Sequence, residues 1–268
     1  MALELVGNIR RLRGGSQPHL MRASDGYCYV VKFQGNPQGT RILANELVAS
    51  RLAGLLGLKV PHTEIVRMPA GLSCDLYFET PHGPVPVAPG LHFGSRNVMP
   101  FLEGRSLDFQ PRGSAALIRN QDDLIGIQVF DIWTCNTDTR QVVYSRRNQE
   151  KKFAATFIDH GHCFGGPQGT FRRLPTPSLD TIAADSGTWY SWIDRIQALP
   201  IQCILDALMA VPSEWQEGWH TSALAQKLVE RQKCLSSMFL SPNCRSSIPR
   251  QYILPQLSMP LGSSLSHQ

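Results

Sequence analysis

No run of hydrophobic residues in this chain of 268 approaches the roughly 20 that a membrane-spanning helix needs. The opening stretch, MALELVGNIRRLRGG, lacks the apolar core of a secretion signal. Like charges never run five or six together. The basic residues come in short pairs, Arg10-Arg11, Arg146-Arg147, Lys151-Lys152 and Arg172-Arg173. The net charge of +5 therefore speaks against a dedicated nucleic-acid surface and suits a small phosphate-bearing ligand. Among the seven cysteines there is no C-x-x-C pair and no regular spacing, which predicts reduced thiols and not a disulfide framework. No internal repeat is visible. Together these absences predict a soluble, cytoplasmic protein with no membrane partner.

What the chain does have is enough apolar residue, 42%, to bury one large domain or two modest lobes. Residues 3–13 read as a first strand, and YCYVVKFQG (27–35) as a buried strand bounded by glycines. TRILANELVASRLAGLLGL (40–58) is the clearest helix, with apolar residues at 43, 47, 48, 52, 55 and 56, Thr40 as N-cap and Gly57 as stop. Residues 60–68 read as a strand, the Pro- and Gly-rich 80–95 as a loop, and 97–109 as a short strand, a break and a turn. A second long helix is predicted over 114–134, then a hairpin of 142–144 with 153–159. Helices follow over 189–198 and 201–210, split by Pro200, and over 221–240. Residues 241–268 are rich in Ser and Pro and read as a flexible tail. The order is β-rich with one helix, then mostly helical, which predicts an α+β protein of two lobes, 1–98 and 99–240, the second carrying the hairpin.

Five features carry chemistry. In the turn Gly14-Gly15-Ser16-Gln17, small residues let backbone N–H groups approach phosphate oxygens, although such a pair of glycines also fits an ordinary turn. Lys32 lies in an apolar strand, where it either points to solvent or finds a partner. Glu46 sits beside the apolar stripe of the first helix, and a Lys32–Glu46 pair would satisfy both. In FDIWTCNTDTRQVVY (130–144) a helix gives way to a polar loop that presents Asp138, with Asp131 reading as structural. The last is FIDHGHCFGG (157–166), a strand that ends on Asp159 and turns through His160-Gly161-His162-Cys163. A metal held by His160, His162 and Cys163 is one reading of it, Asp159 holding Mg²⁺ over a nucleotide is another, and a plain strand end is a third.

The stretches GGSQPHLM, YVVKFQG, NELVASRLAGLLGLKVP, VMPFLEG, VFDIWTCNTD and FIDHGHCF, spread over residues 14–164, resemble the HipA-like kinases, distant kin of protein kinases and phosphoinositide kinases. The resemblance implies a two-lobed kinase-like fold that uses ATP and Mg²⁺. Gly14 to Gln17 would cover the phosphates, Lys32 bind them and Glu46 position the lysine. Met99 to Glu103 would link the lobes, with Met99 and Phe101 beside the adenine. Asp138 would be the catalytic-loop acid and Asp159 the metal ligand. His160 and His162 then become hydrogen-bonding supports. The pattern departs at Val143, where the family carries a metal-binding asparagine; either Gln141 or Asn136 supplies a carbonyl oxygen instead, or a single Mg²⁺ held by Asp159 suffices. The function implied is phosphoryl transfer to a Ser/Thr or other hydroxyl, on a protein or a small molecule. The alternative is a catalytically impaired pseudokinase serving as a nucleotide-responsive module.

Overall fold

The computed structural model describes residues 2–98, 104–108, 115–171 and 186–239. Strands β1 (Leu3–Arg11), β2 (His19–Ala23) and β3 (Cys28–Lys32) lead into helix α1 (Arg41–Leu55). Then come β4 (Thr63–Met68), a single turn α2 (Ala70–Ser73), the pair β5 (Tyr77–Thr80) and β6 (Gly83–Pro86), and β7 (Gly90–Arg96). After β8 (Gly104–Leu107) follow α3 (Gln121–Thr134), β9 (Gln141–Arg147), β10 (Ala154–Ile158) and helices α4 (Ser186–Gln197), α5 (Ile201–Met209), α6 (Thr221–Lys233) and α7 (Leu235–Phe239). The predicted linker residues Met99 and Phe101 and the predicted tail lie outside the described residues.

Five strands close a barrel in the order β1-β2-β3-β7-β4. The closing pair, β1 with β4, is parallel through Leu3↔Val66 and Glu4↔Arg67. Strand alternation sorts the side chains. In β3, Tyr29 and Val31 enter the barrel core with Leu5, Met21, Phe33 and Val66, so Val30 and Lys32 face the opposite way, into a cavity. That two-residue period is what puts a lysine at the floor of a site.

Residues 80–95 are not a loop. They hold β6, which pairs with the preceding β5 as a hairpin, and most of β7, which sits between β3 and β4. The glycine that made β7 look irregular is required by packing: a Cβ on Gly94 would lie 2.7 Å from Val66 Cγ1 and 3.5 Å from the Tyr29 ring.

Helix α1 is buried on nearly every side, Asn45, Glu46 and Ser50 included. Its apolar residues join α3, β9, β10 and helices α4 to α6 in one large core. Leu55, placed on the buried stripe by its spacing, is instead 57% exposed. Thr40 precedes α1 but makes no side-chain cap; its Oγ1 accepts from Gly35 N at 3.3 Å. Gly57 ends the helix at φ +83°, as its position suggested.

The helix predicted from residue 114 begins at Gln121, after a 3₁₀ turn over Ala115–Leu117. The predicted hairpin strands are antiparallel neighbours, Val142↔Phe157 and Tyr144↔Ala155 among the pairs. They form the three-stranded sheet β10-β9-β8, not an isolated pair. The last predicted helix is two, α6 and α7, interrupted at Cys234. Among the described residues no helix is long and apolar enough to cross a membrane.

Candidate active site

A cavity of about 430 Å³ lies between the barrel and the β9–β10 strands, within the size range of small-molecule sites. Leu20, Val30, Phe93, Val143 and Ile158 give it apolar walls, and Arg10, Arg13 and Arg96 bring positive charge to it. Its polar floor is Lys32, Glu46, Gln141 and Asp159.

Lys32 Nζ donates to Glu46 Oε1 and, at 2.7 Å, to Asp159 Oδ1. Glu46 Oε2 accepts from the backbone N–H of His160 at 2.9 Å, so α1 grips both the lysine and the turn after β10. Asp159 itself stands at φ +58°, in the left-handed region that costs a non-glycine residue. Gly161 follows because a Cβ there would come within 3.3 Å of both Glu46 Oε1 and Ile42 Cβ.

Burial would raise the Asp159 carboxyl, but the Lys32 ammonium and its hydrogen bond overcome that and hold it at about 2. Burial also works against Lys32, yet two carboxylates keep its pKa above the ordinary lysine value. Glu46 is pushed up by its own burial, with Lys32 opposing. One cation facing two acids leaves a local excess of negative charge, an environment that attracts a second cation.

The other predicted residues fall in different places. Gln141 Nε2 lies 2.8 Å from Asp159 Oδ2, so these two proposed metal ligands are adjacent. Val143 lines the same cavity two residues on, one strand period from Gln141. Asn136 is buried and its Oδ1 accepts from Asp138 N at 3.3 Å, so its carbonyl oxygen is spent locally.

Asp138 is not among the residues lining the cavity. Its side chain is 51% exposed and stands 4.0 Å from His162 Nε2. His162 in turn meets Gln38 Nε2 at 3.3 Å. A Cβ on Gly15 would lie 2.7 Å from that Gln38 nitrogen, which brings the glycine turn to the same side as Asp138.

Gly14, Gly15, Ser16 and Gln17 do not line the cavity; their neighbours Arg13 and Pro18 do. Gln17 is bonded within the protein. Its Nε2 donates to Glu79 O at 2.7 Å, its Oε1 accepts from Glu79 N at 2.8 Å, and its own N–H goes to Gly14 O at 3.0 Å. These bonds anchor the turn to β5.

The zinc-type reading of the His-Gly-His-Cys turn finds no support in the geometry. His160 is buried and its Nδ1 lies 2.9 Å from Arg140 Nη1, and burial pushes the Cys163 thiol up to about 12. Among the described residues no group of three or more His, Cys, Asp or Glu side chains could hold a metal ion. Arg140 had drawn no attention in the sequence beyond its place in a polar loop. It is buried and bonded to Asp131.

A family profile described as HipA-like kinase matches residues 6–232. The chain belongs to the HipA-like kinase family. Solved structures of similar shape include the Helicobacter pylori proinflammatory kinase CtkA, at 12% identity and TM-score 0.57, covering 93% of this chain and 100% of that one. The hydra Fam20 structure with sugar matches at 13% identity and TM-score 0.54, covering 91% and 88%. HipA of Shewanella oneidensis, solved with HipB and its operator DNA, matches at 13% and 0.53, covering 88% and 68%. A search of curated proteins returns no match. At such identities these structures speak to the fold alone, which is kinase-like with mixed α and β. Membership of the family supports a phosphotransferase.

Proposed function

We propose that this HipA-like kinase is ATP- and Mg²⁺-dependent, works in the cytoplasm, and transfers a phosphoryl group to a Ser/Thr or other hydroxyl of a protein or small molecule. The reading divides the chain into an N-terminal lobe, 1–98, and a C-terminal lobe, 99–240. One observation carries it: Lys32 reaches Glu46 and Asp159 at once on the floor of a 430 Å³ cavity.

The donors on that floor fit the groups proposed. Asp159 offers carboxylate oxygens, the hard ligands Mg²⁺ prefers. Rotation of the Gln141 amide, whose O and N are interchangeable in shape, would turn an oxygen toward the same place. The apolar walls suit a purine base, and Arg10, Arg13 and Lys32 suit its phosphates. When bound, Mg²⁺ neutralises phosphate charge and ATP supplies the phosphoryl group.

Lys32 would then trade part of its contact with Asp159 for phosphate oxygens, while Glu46 keeps it aimed. The backbone of the Gly14–Ser16 turn would close over the phosphates, held to β5 by Gln17. Asp138, half exposed at the cleft's outer side, would accept the proton of the incoming hydroxyl.

Asp159→Asn tests the assignment. It keeps the shape but removes the metal-binding charge, and should cut Mg²⁺-dependent ATP turnover by roughly 100-fold or more, with the circular dichroism spectrum unchanged. Turnover at the parental rate would end the assignment. A parent that is stabilised by ATP in a thermal shift but releases no product on long incubation would instead be the nucleotide-responsive module.

A further inference from the structure

Arg140 is buried, its side chain only 2% exposed, and fans out over several groups. Nε donates to Asp131 Oδ2 at 3.1 Å and Nη2 to Asp131 Oδ1. Nη1 donates to the carbonyls of Ile158 at 3.1 Å and Asp159 at 3.3 Å, and stands 2.9 Å from His160 Nδ1. Nη2 also lies 3.8 Å from Cys163 Sγ.

The two carbonyls are the informative contacts. They belong to the peptide planes on either side of the Asp159 Cα, and fixing both planes fixes φ and ψ of that residue. The second plane is also held from its other edge, where the His160 N–H donates to Glu46. Asp159 sits at φ +58°, a conformation that is costly for a non-glycine residue and persists only where its surroundings enforce it. The same guanidinium is anchored to Asp131 near the end of α3 and follows Asp138 by two positions.

We propose that Arg140 is a positioning residue which sets the conformation of Asp159 and its spacing from the Asp138 loop, so that the Asp159 carboxylate faces Lys32 and Gln141. This rests on the phosphotransferase reading for its consequence in turnover, but not for the clamp itself. The role is one of geometry more than stability, since buried ion pairs are often replaced by apolar residues without loss of stability. A planar fork with several donors is needed to reach two carbonyls and a carboxylate together, and lysine has no such fork.

Two variants test it: Arg140→Lys, which keeps the charge, and the double replacement Asp131→Leu with Arg140→Met, which removes both buried charges and protects the fold. In nucleotide-free protein, both should exchange the amide hydrogens of residues 158–162 about tenfold faster, His160 most of all. Both should need about tenfold more Mg²⁺ for half of the ATP-induced thermal shift, and lose kcat more than they raise KM for ATP. A double variant that matches the parent in exchange and in Mg²⁺ midpoint overturns the proposal. If the parent shows no Mg²⁺-dependent ATP shift at all, the phosphotransferase reading fails, and the exchange rates still decide the clamp.

Discussion

Val143 stands where the resemblance to HipA-like kinases implies a metal-binding asparagine, and its surroundings say what such a departure would cost. In β9 the side chains alternate: Val142 and Tyr144 belong to the large core, while Gln141 and Val143 line the cavity. An asparagine at 143 would therefore face the ligand space, not the core, and could add an oxygen near Asp159. Val143→Asn should lower the Mg²⁺ concentration needed for half of the ATP-induced thermal shift severalfold. Because Val143 is 3% exposed, the swap should also destabilise the apo protein by about 1–2 kcal/mol, the cost of burying an amide with incomplete partners. Titrating Mg²⁺ against the melting temperature of both proteins measures the two effects separately. An unchanged midpoint would mean that Gln141 and Asp159 already complete the metal's protein ligands.

At the scale of elements, α3 shows how a local rule yields to packing. Gly126 lies mid-helix, where alanine would ordinarily be better by about 1 kcal/mol. A Cβ there would come 2.4 Å from Trp192 Cε2 on α4. Since Trp192 is buried, 3% exposed, the ring cannot swing aside, and Gly126→Ala should cost a net 1–3 kcal/mol as overpacking outweighs propensity. Thermal denaturation should show a lower melting temperature, recovered in part by adding Trp192→Leu.

The same contest explains which elements were legible in the sequence. α1, β3 and the β9–β10 pair declare themselves by apolar content and by flanking turns; Lys32 and Glu46 sit on them, and Asp159 directly follows β10. β7 was misread because Gly90, Gly94 and the nearby prolines look like a loop, and only Val66 and Tyr29 across the barrel explain Gly94. The partner of Gln17 was not legible for a related reason: nothing local shows that its amide bonds to a strand 62 residues on. Arg140 is invisible as a clamp without the turn it clamps.

For the whole molecule, the response to acid follows from where its histidines are buried. His92 is 0% exposed beside Phe33 of the barrel core, the ring centroids 5.2 Å apart, its Nδ1 accepting from Gln34 N at 3.1 Å and its Nε2 bonded to Ala88 O at 3.1 Å. Both ring nitrogens are thus used by the neutral ring, and burial lowers its pKa from 6.5 to about 4. His160 is lowered too, by burial and by Arg140 beside it. A group that binds protons more readily when unfolded contributes stability that is complete above its unfolded pKa and lost as pH falls. For His92 that window runs from 6.5 down to about 4, and a shift of this size corresponds to about 3 kcal/mol. Asp159, held at about 2 against an ordinary 3.8, adds a further loss only below that ordinary value. Stability from urea titrations should therefore be level between about pH 7 and 8, below the range where thiols and lysines titrate, and begin to fall near 6.5, well before most carboxylates titrate. His92→Gln, which keeps a polar side chain at the site, should lower stability at pH 7 but flatten the slope between pH 6.5 and 4. A parental slope in that variant would place the acid sensitivity elsewhere, with His160 the next group to replace.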